Sequence, residues 1–403
     1  MKPMRTRKNN GTSYHHHISL MGSTGSIGRQ TLDIVRRFPD KFKIEALTAN
    51  KHWEELARQA LEFRPRTVVI ADSSFRDQLA DALTDTGIEV LSGEEGLTAA
   101  AILPESDLVV AALVGYSGLP STVAALEAGK TVALANKETL VVAGEIIEEL
   151  VKRNGKRIIP VDSEHSAIFQ CLWGENPASV SKLILTASGG PFRNFSKEQL
   201  QKVTVKQALS HPNWEMGAKV TIDSATMMNK GFEMIEARWL FGMSPSDIRI
   251  VVHPESIIHS MVEFVDGSVK AQMSQPDMHL PIAVALGFPN RLNLENHILN
   301  LSHIGKLTFE DPDLLKFPLL GLAYAAAEAG GIVPAIMNAA NETAVAAFLN
   351  GEISFTDISS IVIATVNATK GNYKNMTVSL DSIAQAHTEG TEIAREYIYK
   401  RNT

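Results

Sequence analysis

The sequence predicts an α/β protein with an N-terminal Rossmann-type doubly wound domain, an α+β catalytic domain and a C-terminal α-helical bundle. Three observations carry that prediction. Short β-branched runs alternate with helical periodicity between Ile18 and Val161, a Gly22-Ser23-Thr24-Gly25-Ser26-Ile27-Gly28 loop joins the first strand to the first helix, and the chain turns Ala-rich and helical beyond Leu314. Alternating β and α segments whose strands are continuously apolar form parallel sheets covered on both faces.

The elements follow in order. Strands are expected at Ile18–Met21, Lys43–Thr48, Thr67–Ala71, Asp107–Leu113, Thr131–Ala135 and Arg157–Val161, with helices at Thr31–Phe38, Trp53–Phe63, Leu119–Ala128 and Glu138–Arg153. Beyond Asp162 the rhythm changes. A helix over Ser166–Trp173, a strand over Lys182–Leu185 and an irregular stretch from Gly189 to Gly217 precede Met261–Val265 and Val269–Met273. Asp266-Gly267 between those last runs is a strong hairpin signal. Further helices are expected at Leu319–Ala329, Ala335–Asn350, Asp357–Ala368 and Ser382–Arg401. The resulting division is 1–17 as a leader or tag outside the fold, 18–161 as the nucleotide domain, 162–288 as the catalytic and metal-binding domain, 289–313 as a linker and 314–403 as the helical domain.

Composition excludes several classes. The 403 residues carry 38 Lys+Arg and 45 Asp+Glu, a balance of 38 − 45 = −7, which argues against a nucleic-acid binder. One cysteine, Cys171, permits neither an intrachain disulfide nor a multi-Cys metal site, and it suits a reducing compartment, the cytoplasm. No apolar run approaches the ~20 residues of a membrane span.

The glycine loop sits where a dinucleotide pyrophosphate meets a helix N-terminus, although its spacing is GxxGxxG and a tight turn with no ligand is the competing explanation. The second strand ends in Thr48-Ala49-Asn50-Lys51-His52, without the carboxylate that holds an NAD ribose, so NADP is favoured. Asp162 and Glu164, two apart on what reads as extended chain, point the same way and suit a hard cation, while helix capping by Asp162 or Ser163 is the plainer alternative. Asn229, Lys230 and Glu233 fall on one face of a helix, a set suited to a phosphorylated substrate and a third carboxylate ligand; Glu236 lies near that face as ligand or bystander. Ser188-Gly189-Gly190 can offer donors to a phosphate, and Trp214 and Met216 sit in a Gly/Pro-bounded loop with the look of a covering lid.

Together GSTGSIG, LANKE, PVDSEHSAIFQ, SGGPF, HPNWEMG, SATMMNKGFE and HPESIIHSMVEF, then QPDM and NAANE, resemble the 1-deoxy-D-xylulose 5-phosphate reductoisomerases over nearly all of the chain after residue 17. That resemblance implies an NADP-dependent oxidoreductase, a homodimer of the non-mevalonate isoprenoid pathway. It would isomerise and reduce 1-deoxy-D-xylulose 5-phosphate, a small phosphorylated sugar, to 2-C-methyl-D-erythritol 4-phosphate using NADPH and Mg²⁺ or Mn²⁺, with Co²⁺ a third candidate. Carried over by position, Asp162, Glu164 and Glu233 would hold the metal; Ser188, Ser224, Asn229 and Lys230 the phosphate; and Lys137, Ser163, Glu164, His211 and Trp214 the rest of the substrate. Lys137, Glu164, His211 and Glu233 would be the catalytic set, and Thr24, Gly25, Ser26, Ile27, Asn50, Lys51, His52, Asn136, Glu138 and Gly217 would bind NADPH. Asn50 and His52 stand where the family often has Gly and Asn, and Ala187 replaces a common Gly.

Two other functions compete. A metal-independent NADP-dependent dehydrogenase of the homoserine or semialdehyde type shares the domain order, but its semialdehyde form needs a nucleophilic Cys, and Cys171 lies in an apolar helix. A non-catalytic NADP-sensing module has no use for three acidic ligands beside a lysine.

Overall fold

The computed structural model describes residues 16–210, 214, 216–295, 298–369 and 377–402. The chain divides into two compact units between Val110 and Ala111. The expected boundary at residues 161–162 lies inside the second.

The first unit alternates β1 (His16–Met21), α1 (Ser26–Arg37), β2 (Phe42–Ala49), α2 (Trp53–Phe63), β3 (Thr67–Ile70), α3 (Arg76–Ala82), β4 (Glu89–Ser92), α4 (Gly93–Ala101) and β5 (Leu108–Ala111). Strand β1 opens at His16, so His16 and His17, expected in the leader, are part of the sheet: their ring nitrogens lie 2.8 Å from Asp107 and 2.7 Å from Glu45. β1, β2, β3 and β4 pair in parallel, with Leu20 opposite Leu47, Val68 opposite Leu47 and Val90 opposite Val68. The core of this unit is the apolar strand set Ile18, Leu20, Ile44, Leu47, Val68, Val69 and Ile70, all buried, with Leu32, Ile34 and Leu56 from the helices. Strand order in this unit is β4-β3-β2-β1-β5. The order reverses beside β1, the position at which doubly wound sheets open a crevice at the strand ends.

In the second unit α5 (Leu119–Glu127), β6 (Thr131–Leu134), α6 (Lys137–Asn154), β7 (Ile158–Pro160) and α7 (Ser163–Cys171) lead to β8 (Val180–Ala187). Short α8 (Lys197–Leu200) and α9 (Val205–Ala208) precede α10 (Ala218–Ala225) and α11 (Met228–Phe241). Strands β9 (Ile248–Val252), β10 (Ile258–Phe264) and β11 (Val269–Met273) complete a four-stranded mixed sheet of order β11-β10-β8-β9, in which only β8 and β9 run parallel. The β10–β11 hairpin turns at Asp266-Gly267, where Gly267 has φ 82° and Asp266 accepts the Ser268 N–H at 2.9 Å. Helix α7 packs on β10 and β11, which explains its buried Ala167, Ile168 and Cys171.

Then come α12 (His279–Gly287), α13 (Leu301–Ile304), α14 (Pro318–Ala329), α15 (Val333–Leu349), α16 (Phe355–Ala368) and α17 (Leu380–Asn402). The stretch 289–313, expected as a linker, carries α13, and its Glu310 bridges to β9, where Val252 and Glu310 exchange N–H···O bonds of 2.8 and 2.9 Å. Helix α15 is the hub of the bundle, packed on α14, α16, α17 and also on α6 and α10. Helix α11 lies against α6 so closely that a Cβ on Gly144 would fall 2.2 Å from the Trp239 ring. That contact sets the distance between the two helices that carry most of the site.

Candidate metal and substrate site

The site is built from three helix starts. Asp162 is the N-cap of α7 and accepts the Ser163 N–H at 3.0 Å through Oδ1. The extended-chain argument for Asp162 and Glu164 therefore does not hold, because the helix begins at Ser163 rather than Ser166. The two carboxylates converge because a cap residue and the second residue of a helix share its N-terminal end, and capping and site geometry use different oxygens of Asp162. Lys137 opens α6. From α11 come Asn229, Lys230 and Glu233, brought to one side as the helical spacing requires.

The two ammonium groups sit between the three carboxylates. Lys137 Nζ lies 2.5 Å from Asp162 Oδ2, 3.0 Å from Glu233 Oε1 and 2.9 Å from Asn229 Oδ1. Lys230 Nζ lies 2.7 Å from Glu164 Oε1 and also pairs with Glu233 Oε2. Glu233, Lys230 and Lys137 are almost fully buried, at 1%, 4% and 8% exposure. Burial disfavours every charge here, and pairing decides the outcome. Burial alone would raise Glu164, yet Lys230, Ser163 and Lys137 together outweigh it and hold the carboxyl at about 2. Glu233 moves the other way, raised by burial and by the Glu164 charge against the pull of Lys137 and Lys230. Both lysines stay charged, since their carboxylate partners outweigh desolvation.

This donor set fits a hard divalent cation. One ligand oxygen each from Asp162, Glu164 and Glu233 lie within 4.8 Å of one another. Two oxygens on one such ion, at about 2.0–2.6 Å each, are separated by at most about 5 Å. With Glu233 ionised, three carboxylates against two ammonium groups leave 2 − 3 = −1, the sign a cation needs. A second set, Asp162, His165 and Glu236, shares Asp162 and is buried. His165 Nε2 lies 2.8 Å from the Glu233 carbonyl and its Nδ1 3.3 Å from Glu236. Burial holds His165 down to about 4 and pushes Glu236 well up, so neither adds charge at neutral pH.

Beside these carboxylates the chain gathers donors. Gly189 and Gly190 adopt φ of 81° and 67°, folding the turn so that a Cβ on Gly190 would meet the Ser224 carbonyl at 2.7 Å. Ser188 and Ser224 thus flank one turn. Helix α11 starts behind Met227, itself at φ 62° and offering no side-chain acceptor, while the Met228 N–H donates to Thr226 Oγ1 at 3.4 Å, so Asn229 and Lys230 stand at the positive helix end. Trp214 packs edge-on to the His259 ring, centroids 6.1 Å apart. His211 lies outside the described residues.

The glycine loop belongs to the first unit. Gly22 N–H donates to Thr48 Oγ1 at 2.9 Å and Ser23 N–H to the Thr48 carbonyl at 2.8 Å, which staples the loop to β2. Gly28 is required by close approach, because a Cβ there would sit 2.2 Å from the Gly22 carbonyl oxygen. Gly25, the N-cap of α1, supplies no side-chain acceptor, so the first N–H groups of a twelve-residue helix are available to an anion, and Gly25 and Ser26 are exposed. Asn50, Lys51 and His52 follow the adjacent strand β2 and are exposed; Lys51 Nζ lies 3.9 Å from Asp72, a carboxylate that the sequence did not mark. Asn136, Glu138 and Gly217 lie in the second unit. There Asn136 donates to Glu138 at 3.1 Å, and Lys219, two residues past Gly217, lies 2.5 Å from Glu138. Lys219 and Asp223 escaped the sequence reading, with their i, i+4 spacing as the available signal, and Asn341 and Glu342 entered it only within the NAANE run, with no role.

A doubly wound unit with an anion-ready glycine loop, joined to a unit bearing a cation-ready carboxylate site, defines the class: a dinucleotide-dependent oxidoreductase with a divalent-cation site. Within that class the chain belongs to the 1-deoxy-D-xylulose 5-phosphate reductoisomerase family. The family's model matches residues 18–144, its C-terminal-domain model residues 158–241, and the DXP reductoisomerase C-terminal domain residues 273–393. The 1-deoxy-D-xylulose 5-phosphate reductoisomerase of Chloroherpeton thalassium is 50% identical over 384 residues, covering 95% of this chain and 97% of the relative. The solved Zymomonas mobilis enzyme in complex with NADPH superposes with a TM-score of 0.89 at 42% identity, over 95% of this chain and 99% of that one. A DOX-P reductoisomerase structure with NADPH, fosmidomycin and magnesium gives a TM-score of 0.90 at 43% identity, over 95% and 98% of the two chains.

Proposed function

We propose that this chain converts 1-deoxy-D-xylulose 5-phosphate to 2-C-methyl-D-erythritol 4-phosphate with NADPH and a divalent cation, in the non-mevalonate isoprenoid pathway. The observation that carries the reading is the convergence of Asp162, Glu164 and Glu233 around Lys137 and Lys230. When bound, the cation supplies Lewis-acid polarisation of the substrate's carbonyl and hydroxyl oxygens, and NADPH supplies the hydride that reduces the rearranged aldehyde.

The chain's own residues do the rest. Lys230 and Asn229, with Ser188 and Ser224, bind the phosphate at the start of α11, an arrangement supported by charge and by the contact of the two turns. Asp162, Glu164 and Glu233 hold the cation. Lys137, already ringed by oxygens at 2.5–3.0 Å, releases them to the cation and donates to a substrate oxygen, while Ser163 and Glu164 orient the hydroxyl groups. His211 and Trp214 contact the substrate, and exclusion of water there strengthens each electrostatic contact. Thr24, Gly25, Ser26 and Ile27 bind the pyrophosphate; Asn50, Lys51 and His52 the 2′-phosphate end; and Asn136, Glu138 and Gly217 the remainder of NADPH. The chain acts as a homodimer, a reading supported by β11, a sheet-edge strand with Val269 half exposed, and it suits the cytoplasm, where its one cysteine stays reduced. Among the described residues no helix is long and apolar enough to cross a membrane.

The test is NADPH oxidation with 1-deoxy-D-xylulose 5-phosphate, with EDTA and after Mn²⁺ is restored, with the product identified by NMR. Loss with EDTA and recovery with Mn²⁺ are expected. Metal-independent oxidation would favour the simple dehydrogenase instead.

A further inference from the structure

A second buried charge cluster lies behind the site lysine, and neither the metal nor the phosphate reading uses it. Glu138 is 4% exposed, Asp223 1% and Asn341 0%. Lys219 Nζ lies 2.5 Å from Glu138 Oε1 and 2.8 Å from Asp223 Oδ2, and Asn341 donates to Asp223 Oδ1 at 2.7 Å. The other Glu138 oxygen accepts from Asn136 Nδ2 at 3.1 Å, and that amide also donates to the Gly115 carbonyl at 3.0 Å. One ammonium group therefore joins α6 to α10, and Asp223 in turn joins α10 to α15.

We propose that Lys219, with Asp223 and Asn341 behind it, is a positioning residue that fixes the Glu138 carboxylate and, through it, the placing of Asn136 and the start of α6 against the cofactor. The inference rests on the reading of Asn136 and Glu138 as NADPH contacts. Its logic is geometric. Lys137 and Glu138 are adjacent in the first turn of α6, about 100° apart, so one enters the metal site while the other enters this cluster. A buried ion pair is a poor source of stability, since desolvation offsets most of its attraction; what it gives here is direction. Each Glu138 oxygen has its own donor, and Asp223, itself held by Asn341, prevents Lys219 from swinging away. Space closes the arrangement as well, because a Cβ on Gly118 would fall 2.6 Å from Asn136 Oδ1. Asn341 belongs to the Asn338-Ala339-Ala340-Asn341-Glu342 run, whose Glu342 accepts the Tyr116 N–H at 3.3 Å and an Asn338 N–H at 3.1 Å. The helical bundle thereby reaches the cofactor residues through hydrogen bonds.

The experiment measures NADPH Kd by fluorescence and Mn²⁺ Kd by EPR on the full chain for Lys219→Met, Lys219→Arg, Asn341→Ala and Glu138→Gln. Lys219→Met is expected to weaken NADPH binding about tenfold or more and Asn341→Ala several-fold, with Mn²⁺ Kd within about threefold of the parent and Lys219→Arg recovering most of the loss. Glu138→Gln checks the underlying reading by itself: unchanged NADPH binding there removes Glu138 from the cofactor contacts and the inference with it. If Glu138→Gln weakens NADPH but folded Lys219→Met does not, the positioning role is overturned alone. Equal weakening of NADPH and Mn²⁺ with a lowered Tm also overturns it, as the mark of a merely structural pair. Should Lys219→Met fail to fold, Asn341→Ala and Lys219→Arg decide the matter by the same two constants.

Discussion

Replacing Glu233 by glutamine keeps the shape of the site and removes one charge. In the parent, three carboxylates face two buried ammonium groups; in the variant Asp162 and Glu164 balance Lys137 and Lys230, 2 − 2 = 0. The metal-free variant is therefore electrostatically satisfied, and its folding is expected to hold. A cation entering that site meets no net negative charge. Losing one partner of a buried charge interaction costs about 3–5 kcal/mol, and every 1.4 kcal/mol is a decade, so Mn²⁺ Kd should rise by about two to three and a half decades. EPR titration of free Mn²⁺ measures this directly, with NADPH fluorescence and Tm as controls expected to stay near the parent values. A variant that binds Mn²⁺ within about threefold of the parent and turns over normally would refute the placement of Glu233 among the ligands.

Three further outcomes follow from particular residues. Glu233 is raised in the metal-free fold from 4.5 to about 7, so a proton competes with the cation below that value. Mn²⁺ affinity should climb between pH 5.5 and about 7 and flatten above, and a flat isothermal titration profile over that window would contradict it. Gly28→Ala drives a Cβ into backbone atoms at 2.2–2.6 Å that cannot rotate away. It should cost about 1–3 kcal/mol and lower Tm by several degrees; an unchanged melting curve would mean that the loop packs differently. The Cys171 thiol is pushed up to about 11 by burial, so native protein at pH 8 should resist iodoacetamide and Cys171→Ala should keep turnover within about twofold. Inactivation by alkylation at that residue alone would revive a thiol mechanism.

Some of the fold could be read in one dimension. Helix α2 has the expected bounds, Trp53–Phe63, because its apolar face, Leu56, Ala57 and Ala60, repeats at helical spacing. The β10–β11 hairpin is equally local, since Asp266-Gly267 chooses the turn that the backbone needs. Strand β4 and helices α3 and α4 were not marked: Glu89–Ser92 is a four-residue edge strand with one exposed and three half-buried residues, too short to show a period. Bounds failed where caps decide them. Helix α7 starts at Ser163 because Asp162 turns back to accept its N–H, a bond no hydropathy pattern records.

The sequence by itself determined the alternation of most β and α elements, the glycine loop, the residue types of the site and the family, because those depend on spacing along the chain and on motifs that survive without coordinates. Only the tertiary structure decided which charges meet. Asp162, Lys137 and Glu233 come from three separate helices, and their ionic balance depends on burial and on distances of 2.5–3.0 Å that no one-dimensional spacing specifies. The same holds for Lys219, whose partner Glu138 lies 81 residues away in sequence and whose second support, Asn341, lies on α15. Hydrophobic periodicity says which face of each helix is buried; packing of α6 on α11 through Gly144 and Trp239, and of α15 on α6 and α10, sets which polar groups that burial brings together.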